Sequence, residues 1–193
     1  MHVRKLLSRW IEDRNIIGHA RRAESLAKTV EALVLGGKAC LTSLGRSRPG
    51  SAQVKHQIKA VDRLLGNTHL HGEVAGVYRA LARGVLGRIR RPVLVVDWSD
   101  FECSKGRKWA MLKAGVAVGG RCFVVFSRVF PFRRYNSPEA HREFLLGLSR
   151  VLPPGCKPIV VTDAGFRGPW FRDVEKLGWD WVGRIRNKIR YFN

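Results

Sequence analysis

The stretch PVLVVDWSD at residues 92–100 decides the fold of this chain, together with a second stretch, PIVVTDAGF, at residues 158–166. Each opens with a short apolar run rich in β-branched side chains, which is typical of a buried central strand. An aspartate follows each run, Asp97 in the first stretch and Asp163 in the second. A carboxylate is costly to bury unless something pairs with it. On a strongly basic chain, two such aspartates predict a shared metal site for phosphate chemistry.

The chain is strongly basic throughout. Its 193 residues carry 36 Lys and Arg against 15 Asp and Glu, which gives a formal net charge of +21. Residues 1–92 hold 18 basic and 6 acidic side chains, and residues 93–193 hold 18 and 9, so the excess is not confined to a tail. The expected partner is a polyanion, most commonly nucleic acid. A ribosomal or other RNA-binding protein explains this charge as well as a DNA enzyme does.

Composition argues against several other classes. With 45% hydrophobic residues the chain is not a disordered polycation, and no apolar run reaches the roughly 18 residues of a membrane span. The first ten residues, MHVRKLLSRW, have charges inside their apolar stretch and make a poor signal peptide. Four widely spaced cysteines without a C-x-x-C pattern predict buried free thiols in a reducing cytosol. We therefore expect a cytoplasmic protein.

Residues 1–91 are predicted to form a helical region. Apolar side chains within 26–34 recur along one helical face. A loop is expected at 45–50, where glycine, serine and proline interrupt the pattern. Ser51 is then a good N-cap for the next helix, and a further helix is expected at 73–86.

The helix after Ser51 carries a row of basic side chains four residues apart, which we call the basic ridge. It consists of Lys55, Lys59 and Arg63. A helix, a glycine-containing turn and a second helix with such a ridge resemble a helix-turn-helix DNA reader. The ridge fits a solvated helix face as well as a DNA contact, and the charge of the whole chain supports the second interpretation. We predict that 1–91 is a helix-turn-helix-like DNA-binding region.

Residues 92–193 alternate between strand-like and helix-like patterns. The predicted elements are a strand at 93–97, strands at 108–118 and 121–131 joined by a Gly-Gly hairpin turn, a helix capped by Ser137, a strand at 158–162, a helix at 169–177 and a last strand at 179–185. Three consecutive strands followed by alternating helix and strand is the order of the ribonuclease H-like fold. That fold holds metal-binding carboxylates on its first strand, just after its fourth strand and on a later helix. Asp97 and Asp163 match the first two places.

The second half resembles the catalytic core of a DDE transposase of the insertion sequence four family. The resemblance rests on VVDWSD at 95–100, VTDAGF at 161–166 and LGWD at 177–180. The first half resembles the N-terminal region of the same family through LTSLGR at 41–46 and IKAVDRLLGN at 58–67. The expected fold class is therefore α+β or α/β, a helical N-terminal region followed by an incomplete ribonuclease H-like mixed sheet with flanking helices.

The resemblance implies a metal-dependent enzyme that cleaves and joins DNA strands. Asp97 and Asp163 are by resemblance the first two acids of the catalytic triad and ligands of Mg²⁺, with two ions in a complete enzyme. Two such ions activate the attacking water or 3′-hydroxyl, enforce the in-line geometry and shield charge on the phosphate. The implied partner is double-stranded DNA at transposon ends, bound by a homodimer in a synaptic complex.

The chain departs from the family at the third acid of the triad. In the family this acid is a glutamate on a helix well beyond the last core strand. After Asp163 the chain offers three acids, and none has that context: Asp173, Glu175 and Asp180. We therefore expect a C-terminally truncated transposase copy that lacks the third acid and is inactive as it stands.

Other interpretations stay open at this point. Asp97 also fits a residue capping a turn at a strand end, and Asp163 fits an N-cap in an α/β loop. Asp100 fits either a supporting contact behind the metal ligands or a cap of the loop expected at 101–107. For the whole chain, the alternatives to a transposase are a DNA-binding fragment without catalysis and an unrelated basic RNA-binding protein.

Overall fold

The computed structural model describes residues 3–13, 16–103 and 106–184 of the chain. The chain divides into two compact units, Met1–Ala80 and Leu81–Asn193. The helices are α1 (Val3–Asp13), α2 (Ala20–Gly36), α3 (Leu41–Ser47), α4 (Val54–Leu65), α5 (Thr68–Leu86), α6 (Pro138–Val151) and α7 (Gly168–Lys176). The strands are β1 (Val93–Cys103), β2 (Arg107–Val118), β3 (Arg121–Pro131), β4 (Ile159–Thr162) and β5 (Asp180–Gly183). The predicted fold class, N-terminal helices followed by a mixed sheet with flanking helices, is confirmed.

None of the helices in the described ranges has the length and apolar character that crossing a membrane requires.

The first unit is built around a cluster of buried apolar side chains from its helices and the segment between α1 and α2. The cluster contains Ile11, Ile16, Ile17, Ala27 and Ala80. A glycine in the left-handed conformation, Gly37 with φ of 64°, ends α2 and donates its N–H to the carbonyl of Leu33. This is the usual way in which a glycine stops a helix without steric cost.

Helices α3 and α4 are successive and packed together where the helix-turn-helix was predicted, with boundaries that differ from those predicted. The expected loop at 45–50 is wrong at its start, because α3 continues through Gly45 to Ser47. A glycine is needed at position 45 because α4 passes close to it there. A Cβ at this position would lie 2.7 Å from the Cα of Ile58. The predicted N-cap Ser51 is also wrong, since Gln53 holds the N-cap position and makes no side-chain cap.

Helix α5 begins at Thr68, five residues before the predicted start. The side chain of Asn67 accepts the N–H of Leu70 at 3.1 Å, which caps the free donors at this end.

The second unit contains one mixed sheet in the order β3-β2-β1-β4-β5. Strands β1, β2 and β3 pair antiparallel, and β4 lies parallel to both β1 and β5. Gly119 and Gly120 turn between β2 and β3 with positive φ values, as the predicted hairpin requires. The Ser137 hydroxyl accepts the N–H of Ala140 at 3.2 Å, which confirms it as the N-cap of α6. The order of strands and helices along the chain that the sequence predicted is confirmed.

One face of the sheet is buried and the other is open among the described residues. Leu94 and Val96 of β1 are buried, whereas Val93 and Val95 are 46% and 40% exposed. The expectation that β1 is buried on both faces is therefore wrong. Helices α6 and α7 lie on the same face because the two right-handed crossovers that lead into β4 and β5 run in the same direction across the sheet.

The expectation of buried thiols is wrong for two cysteines. Cys40, at the N-cap position of α3, and Cys122, near the β2–β3 turn, are exposed, whereas Cys156 is buried. Cysteine is among the residue types most often buried. A position at the start of a helix or next to a hairpin turn nevertheless leaves its side chain accessible. The side chain of Cys103 lies outside the described part of the structure.

Candidate functional site

The register of β1 and β4 places the two predicted aspartates side by side. Val96 pairs with Thr162 as the last partners of the two parallel strands, and the next residue of each strand is the aspartate. Neighbouring strands lie about 5 Å apart, so Asp97 and Asp163 leave the same edge of adjacent strands. Both side chains are exposed. The predicted placement on neighbouring parallel strands is confirmed, and the metal they are expected to share stays a prediction.

Asp97 lies inside its strand and not at its end. β1 continues to Cys103 because its antiparallel pairing with β2 extends to the Cys103–Arg107 pair. What ends after Val96 is the parallel pairing with β4, because β4 itself ends at Thr162. The prediction of a strand at 93–97 is therefore too short, and Asp97 does not cap a turn.

The same extension of β1 removes the loop that was expected at 101–107. Asp100 lies within β1 opposite Ala110, so it does not cap such a loop. Alternation along the strand gives Asp100 and Asp97 opposite faces of the sheet. A supporting role of Asp100 at the metal stays a prediction.

Asp163 is held by the turn that follows β4. One carboxylate oxygen, Oδ1, accepts the N–H of Gly165 at 2.9 Å, and the other oxygen has no described partner. A Cβ at Gly165 would lie 3.0 Å from that same Oδ1, so a glycine keeps this turn tight. Asn136 donates to the Gly165 carbonyl at 3.2 Å and ties the turn to the segment before α6. The alternative role of Asp163 as the N-cap of the next helix is wrong, since Arg167 holds that position.

A layer of rings lies behind both aspartates, on the covered face of the sheet, and all of them except Tyr135 are buried or half-buried. We call it the aromatic cluster, and it consists of Trp98, Phe130, Tyr135, His141, Phe166 and Trp170. Trp98 follows Asp97 and donates its indole N–H to Nε2 of His141 in a long hydrogen bond of 3.4 Å. The His141 ring stacks on Phe166, three residues after Asp163, at 5.3 Å between centroids. One histidine of α6 therefore contacts the segments that carry both aspartates.

His141 is neutral in the folded protein. Its side chain is only 4% exposed, and burial lowers its pKa from 6.5 to about 4, against an opposing effect of the Asp173 carboxylate. Accepting the indole N–H at Nε2 also requires that nitrogen to be unprotonated. Sequence reasoning missed this residue, although its place one residue after Ala140 on the buried side of α6 was readable from the helical spacing.

We expect the neutral His141 to make folding stability depend on acidity between pH 7.5 and 5. The unfolded chain binds a proton at this residue below pH 6.5 and the folded protein does not until about pH 4, so stability falls as the pH falls. The difference amounts to about 2 kcal/mol between pH 7.5 and 5.0. Urea unfolding of the wild type and of His141→Phe at both pH values measures it, since all other groups are common to the two proteins.

Parallel pH profiles of the two proteins would contradict this assignment. Should the Phe variant fold poorly, the ring signals of His141 in the wild-type NMR spectrum give the same information. We expect no titration of these signals between pH 7.5 and 5, whereas a midpoint near 6.5 would show an ordinary solvated histidine.

The three acids that follow Asp163 are engaged elsewhere. Asp173 accepts from Lys176 at 3.1 Å, Glu175 accepts the indole N–H of Trp181 at 3.0 Å, and Asp180 pairs with Arg91 at 2.5 Å. Among the residues that the structure describes, no three His, Cys, Asp or Glu side chains gather into a group able to hold a metal ion.

A lysine shares the open face of the sheet with Asp97. Lys113 on β2 is the direct cross-strand partner of Asp97 and is half-buried. Paired residues of an antiparallel ladder project on the same side with Cβ atoms about 5 Å apart, so a cation lies beside the Asp97 carboxylate. No sequence pattern distinguishes this lysine, because a single lysine in a strand is common on a half-exposed sheet.

The donor set of Asp97 and Asp163 fits Mg²⁺. Carboxylate oxygens are the ligands that this ion prefers, with water completing the coordination. The Asp97 carboxylate has no hydrogen bond or ion pair with any residue in the described ranges, and Asp163 keeps Oδ2 available. Both are therefore able to bind a cation without first breaking an internal contact.

The basic ridge lies on the surface of the first unit. Lys55, Lys59 and Arg63 are all exposed along α4, and Arg63 makes a local contact from Nε to the carbonyl of Lys59 at 3.3 Å. Successive members are about 6 Å apart along the helix axis. The three cations are therefore exposed to solvent. Their contact with DNA stays a prediction.

Comparison with known families identifies the second unit. The family model described as "Transposase DDE domain" matches residues 88–192, which is more than half of the chain and includes both aspartates. A search of curated proteins and a search of solved structures each gave no significant match.

Proposed function

Because this chain belongs to the transposase DDE domain family, we propose that it is a transposase of the insertion sequence four type whose first two metal-binding acids are Asp97 and Asp163. The observation that carries the proposal is the register of β1 and β4, which sets the two carboxylates one residue beyond the Val96–Thr162 pair. A Mg²⁺ ion bound there supplies activation of a water or 3′-hydroxyl and shielding of the phosphate charge.

Three features of the chain favour metal and phosphate binding at Asp97 and Asp163. The turn at Gly165 orients one oxygen of Asp163 and leaves the other available. Lys113 adds a positive charge on the same face, where an incoming phosphate is attracted. The aromatic cluster fixes the segments behind both aspartates, because rings packed at 5–6 Å between centroids leave little freedom to the backbone that carries them.

We also propose that the third acid of the triad is not among the described residues. Asp173, Glu175 and Asp180 are engaged in other contacts, as expected of acids with structural roles. The open face of the sheet supports the same proposal, because sheets with parallel strands are normally covered on both faces in complete domains. In this view the chain carries an incomplete catalytic core.

The proposed substrate is duplex DNA at transposon ends. Membership of a transposase family implies a DNA substrate, and the net charge of +21 supplies the attraction. The helical region at 1–91 is proposed to bind DNA through the basic ridge, and a homodimer is proposed for the synaptic complex. A DNA-binding fragment without catalysis makes the same contacts and differs only at the two aspartates.

A titration with Mn²⁺ tests the proposed metal site. We expect weak binding by the wild type, and a loss of affinity of about tenfold or more in Asp97→Asn and in Asp163→Asn, because each removes one of two charged ligands. The free Mn²⁺ signal in electron paramagnetic resonance measures the bound fraction. Asp62→Asn is the matched control, since Asp62 is an exposed carboxylate of α4 in the other unit.

Equal Mn²⁺ affinity in all four proteins would contradict the shared site. Asp100→Asn adds a separate comparison for its proposed supporting role: an affinity that falls supports the role, and an unchanged affinity excludes it.

A further inference from the structure

A cleft in the first unit lies beside the basic ridge and carries a charge pattern that the sequence did not reveal. It has a volume of about 420 Å³ and lies between the start of α2 and the end of α4. We call it the arginine cleft, and its polar lining consists of His19, Arg21, Arg22, Ser25, Arg63 and Asn67. No acidic residue lines it among the described residues.

Arg22 forms a fixed wall of the cleft. Its guanidinium donates to both carboxylate oxygens of Glu73, at 2.7 Å from Nε and 2.6 Å from Nη2, and the Gly18 N–H adds a third contact to the same carboxylate. This hydrogen bonding raises the pKa of Arg22 and lowers that of Glu73. The pair is half-buried and well oriented, so the charge of Arg22 is already balanced within the protein.

The other two arginines have no such balance. Neither Arg21 nor Arg63 forms an ion pair with a carboxylate in the described ranges. Within these ranges Arg63 donates only its Nε–H, to the Lys59 carbonyl, so both of its Nη groups remain able to donate to a ligand. Both side chains are exposed at the mouth of the cleft. They supply two uncompensated guanidinium groups to one cavity.

Ser25 and Asn67, two neutral polar residues of the cleft, are left with hydrogen-bond donors to offer a ligand. The Ser25 hydroxyl oxygen accepts from Nη2 of Arg48 at 2.7 Å, so its own O–H remains to be donated. The Asn67 carbonyl oxygen accepts the N–H of Leu70 at 3.1 Å, so its amide NH₂ remains. A serine and an asparagine normally offer donors and acceptors alike. Here the acceptor of each is already used by the fold.

A cavity lined by guanidinium, hydroxyl and amide donors matches a ligand that only accepts, and the forked geometry of arginine suits phosphate in particular. We propose that the arginine cleft seats one phosphodiester of the DNA backbone, which rests on the proposed DNA-binding function. A cavity of about 420 Å³ exceeds a bare phosphate and leaves room for the attached sugar.

Continuity with the basic ridge favours a DNA strand over a free anion as the occupant. Arg63 belongs to both features, as the last member of the ridge and as a wall of the cleft. Lys55 lies about 12 Å from it along the axis of α4, so the positive surface extends well beyond the cavity. A polyanion that follows the ridge reaches the cleft at its end, whereas a single phosphate uses the cleft alone.

The test compares duplex DNA binding by the wild type, Arg21→Ala and Asn67→Asp. Asn67→Asp keeps the oxygen that caps α5 and replaces the donor amide with a negative charge. We expect a loss of affinity of about tenfold or more for Asn67→Asp, and for Arg21→Ala a salt slope that is smaller by about 1. Lys38→Ala is the matched control, because it removes an exposed cation of the same unit outside the cleft. Fluorescence anisotropy from 50 to 200 mM salt measures both quantities.

The outcomes separate this inference from the proposed function. Failure of the wild type to bind DNA overturns both. Wild-type binding with Arg21→Ala and Asn67→Asp equal to Lys38→Ala overturns the cleft alone. Inorganic phosphate at millimolar concentration serves as the second probe, at constant ionic strength. Displacement of DNA by phosphate in the wild type but not in Arg21→Ala supports the assignment, because both ligands then compete for the cleft. Phosphate binding in calorimetry that needs Arg21 but leaves DNA affinity unchanged would assign the cleft to a free anion and overturn the backbone assignment.

Discussion

The 193-residue chain is expected to bind duplex DNA and to leave both strands uncut in Mg²⁺ or Mn²⁺. Two carboxylates hold one divalent ion loosely, but the second ion lacks a ligand and the in-line geometry is not enforced. The later acids do not supply it, because Asp173, Glu175 and Asp180 are engaged in contacts of their own. We expect cleavage at least about 10³-fold below that of a core with three acids, which corresponds to losing roughly 4 kcal/mol of transition-state stabilisation. Labelled transposon-end fragments on a denaturing gel measure it.

The positive control for this experiment is a version of the protein extended by a helix that carries the third acid. In that version Asp97→Asn or Asp163→Asn should abolish cleavage while DNA affinity stays within about twofold, because neither residue belongs to the basic ridge. Robust cleavage by the 193-residue chain that is lost in Asp97→Asn would overturn the proposal of a missing acid. The third ligand would then be sought at Asp100, Glu175 or Asp180.

DNA binding is expected to weaken steeply as salt rises. With six or more phosphates neutralised, the slope of log affinity against log salt is steeper than about −5, which means a loss of about 10³ in affinity between 50 and 200 mM salt. The excess of basic residues in both halves of the chain provides the contacts. Replacing the basic ridge, Lys55, Lys59 and Arg63, by alanine should make the slope shallower by about 3 if each binds one phosphate.

A matched triple variant distinguishes the ridge from general charge. Lys38, Arg46 and Arg79 are exposed cations of the same unit outside the ridge, and their replacement by alanine removes the same charge. Affinity that falls equally in both triple variants would show that the ridge is only a solvated helix face. A flat salt dependence of the wild type would contradict backbone binding altogether.

The elements themselves were predictable because local patterns determine them, whereas the adjacency of the two aspartates was predictable only from the order of elements that the ribonuclease H-like fold shares. The apolar runs before Asp97 and Asp163, the Gly119–Gly120 turn and the Ser137 cap each act over a few residues, and all are confirmed. The length of β1 was not predictable in the same way. Its continuation after Val96, DWSDFEC, mixes polar and apolar side chains and is held by pairing with β2, which the sequence of the strand alone does not reveal.

The parts of the site that sequence reasoning missed depend on contacts between distant segments. His141 lies 43 residues from Trp98, to which it is hydrogen-bonded, and Arg22 lies 51 residues from Glu73. The donor character of the arginine cleft arises because Arg48 and Leu70 use the acceptors of Ser25 and Asn67. No spacing rule reveals which oxygen of a side chain is already occupied. Helix boundaries around Gly45 failed for a related reason, since close packing on Ile58 overrides the local preference of glycine for a loop.

The central claim is that Asp97 and Asp163 bind one divalent cation between them. The most direct measurement is the anomalous scattering of Mn²⁺ in crystals of the protein grown with the metal. The account predicts a peak within about 2.0–2.3 Å of a carboxylate oxygen of each aspartate, the distance typical of small divalent ions with oxygen ligands. A Mn²⁺ ion bound to one aspartate alone, or a peak elsewhere on the protein with both carboxylates free of metal, would contradict it.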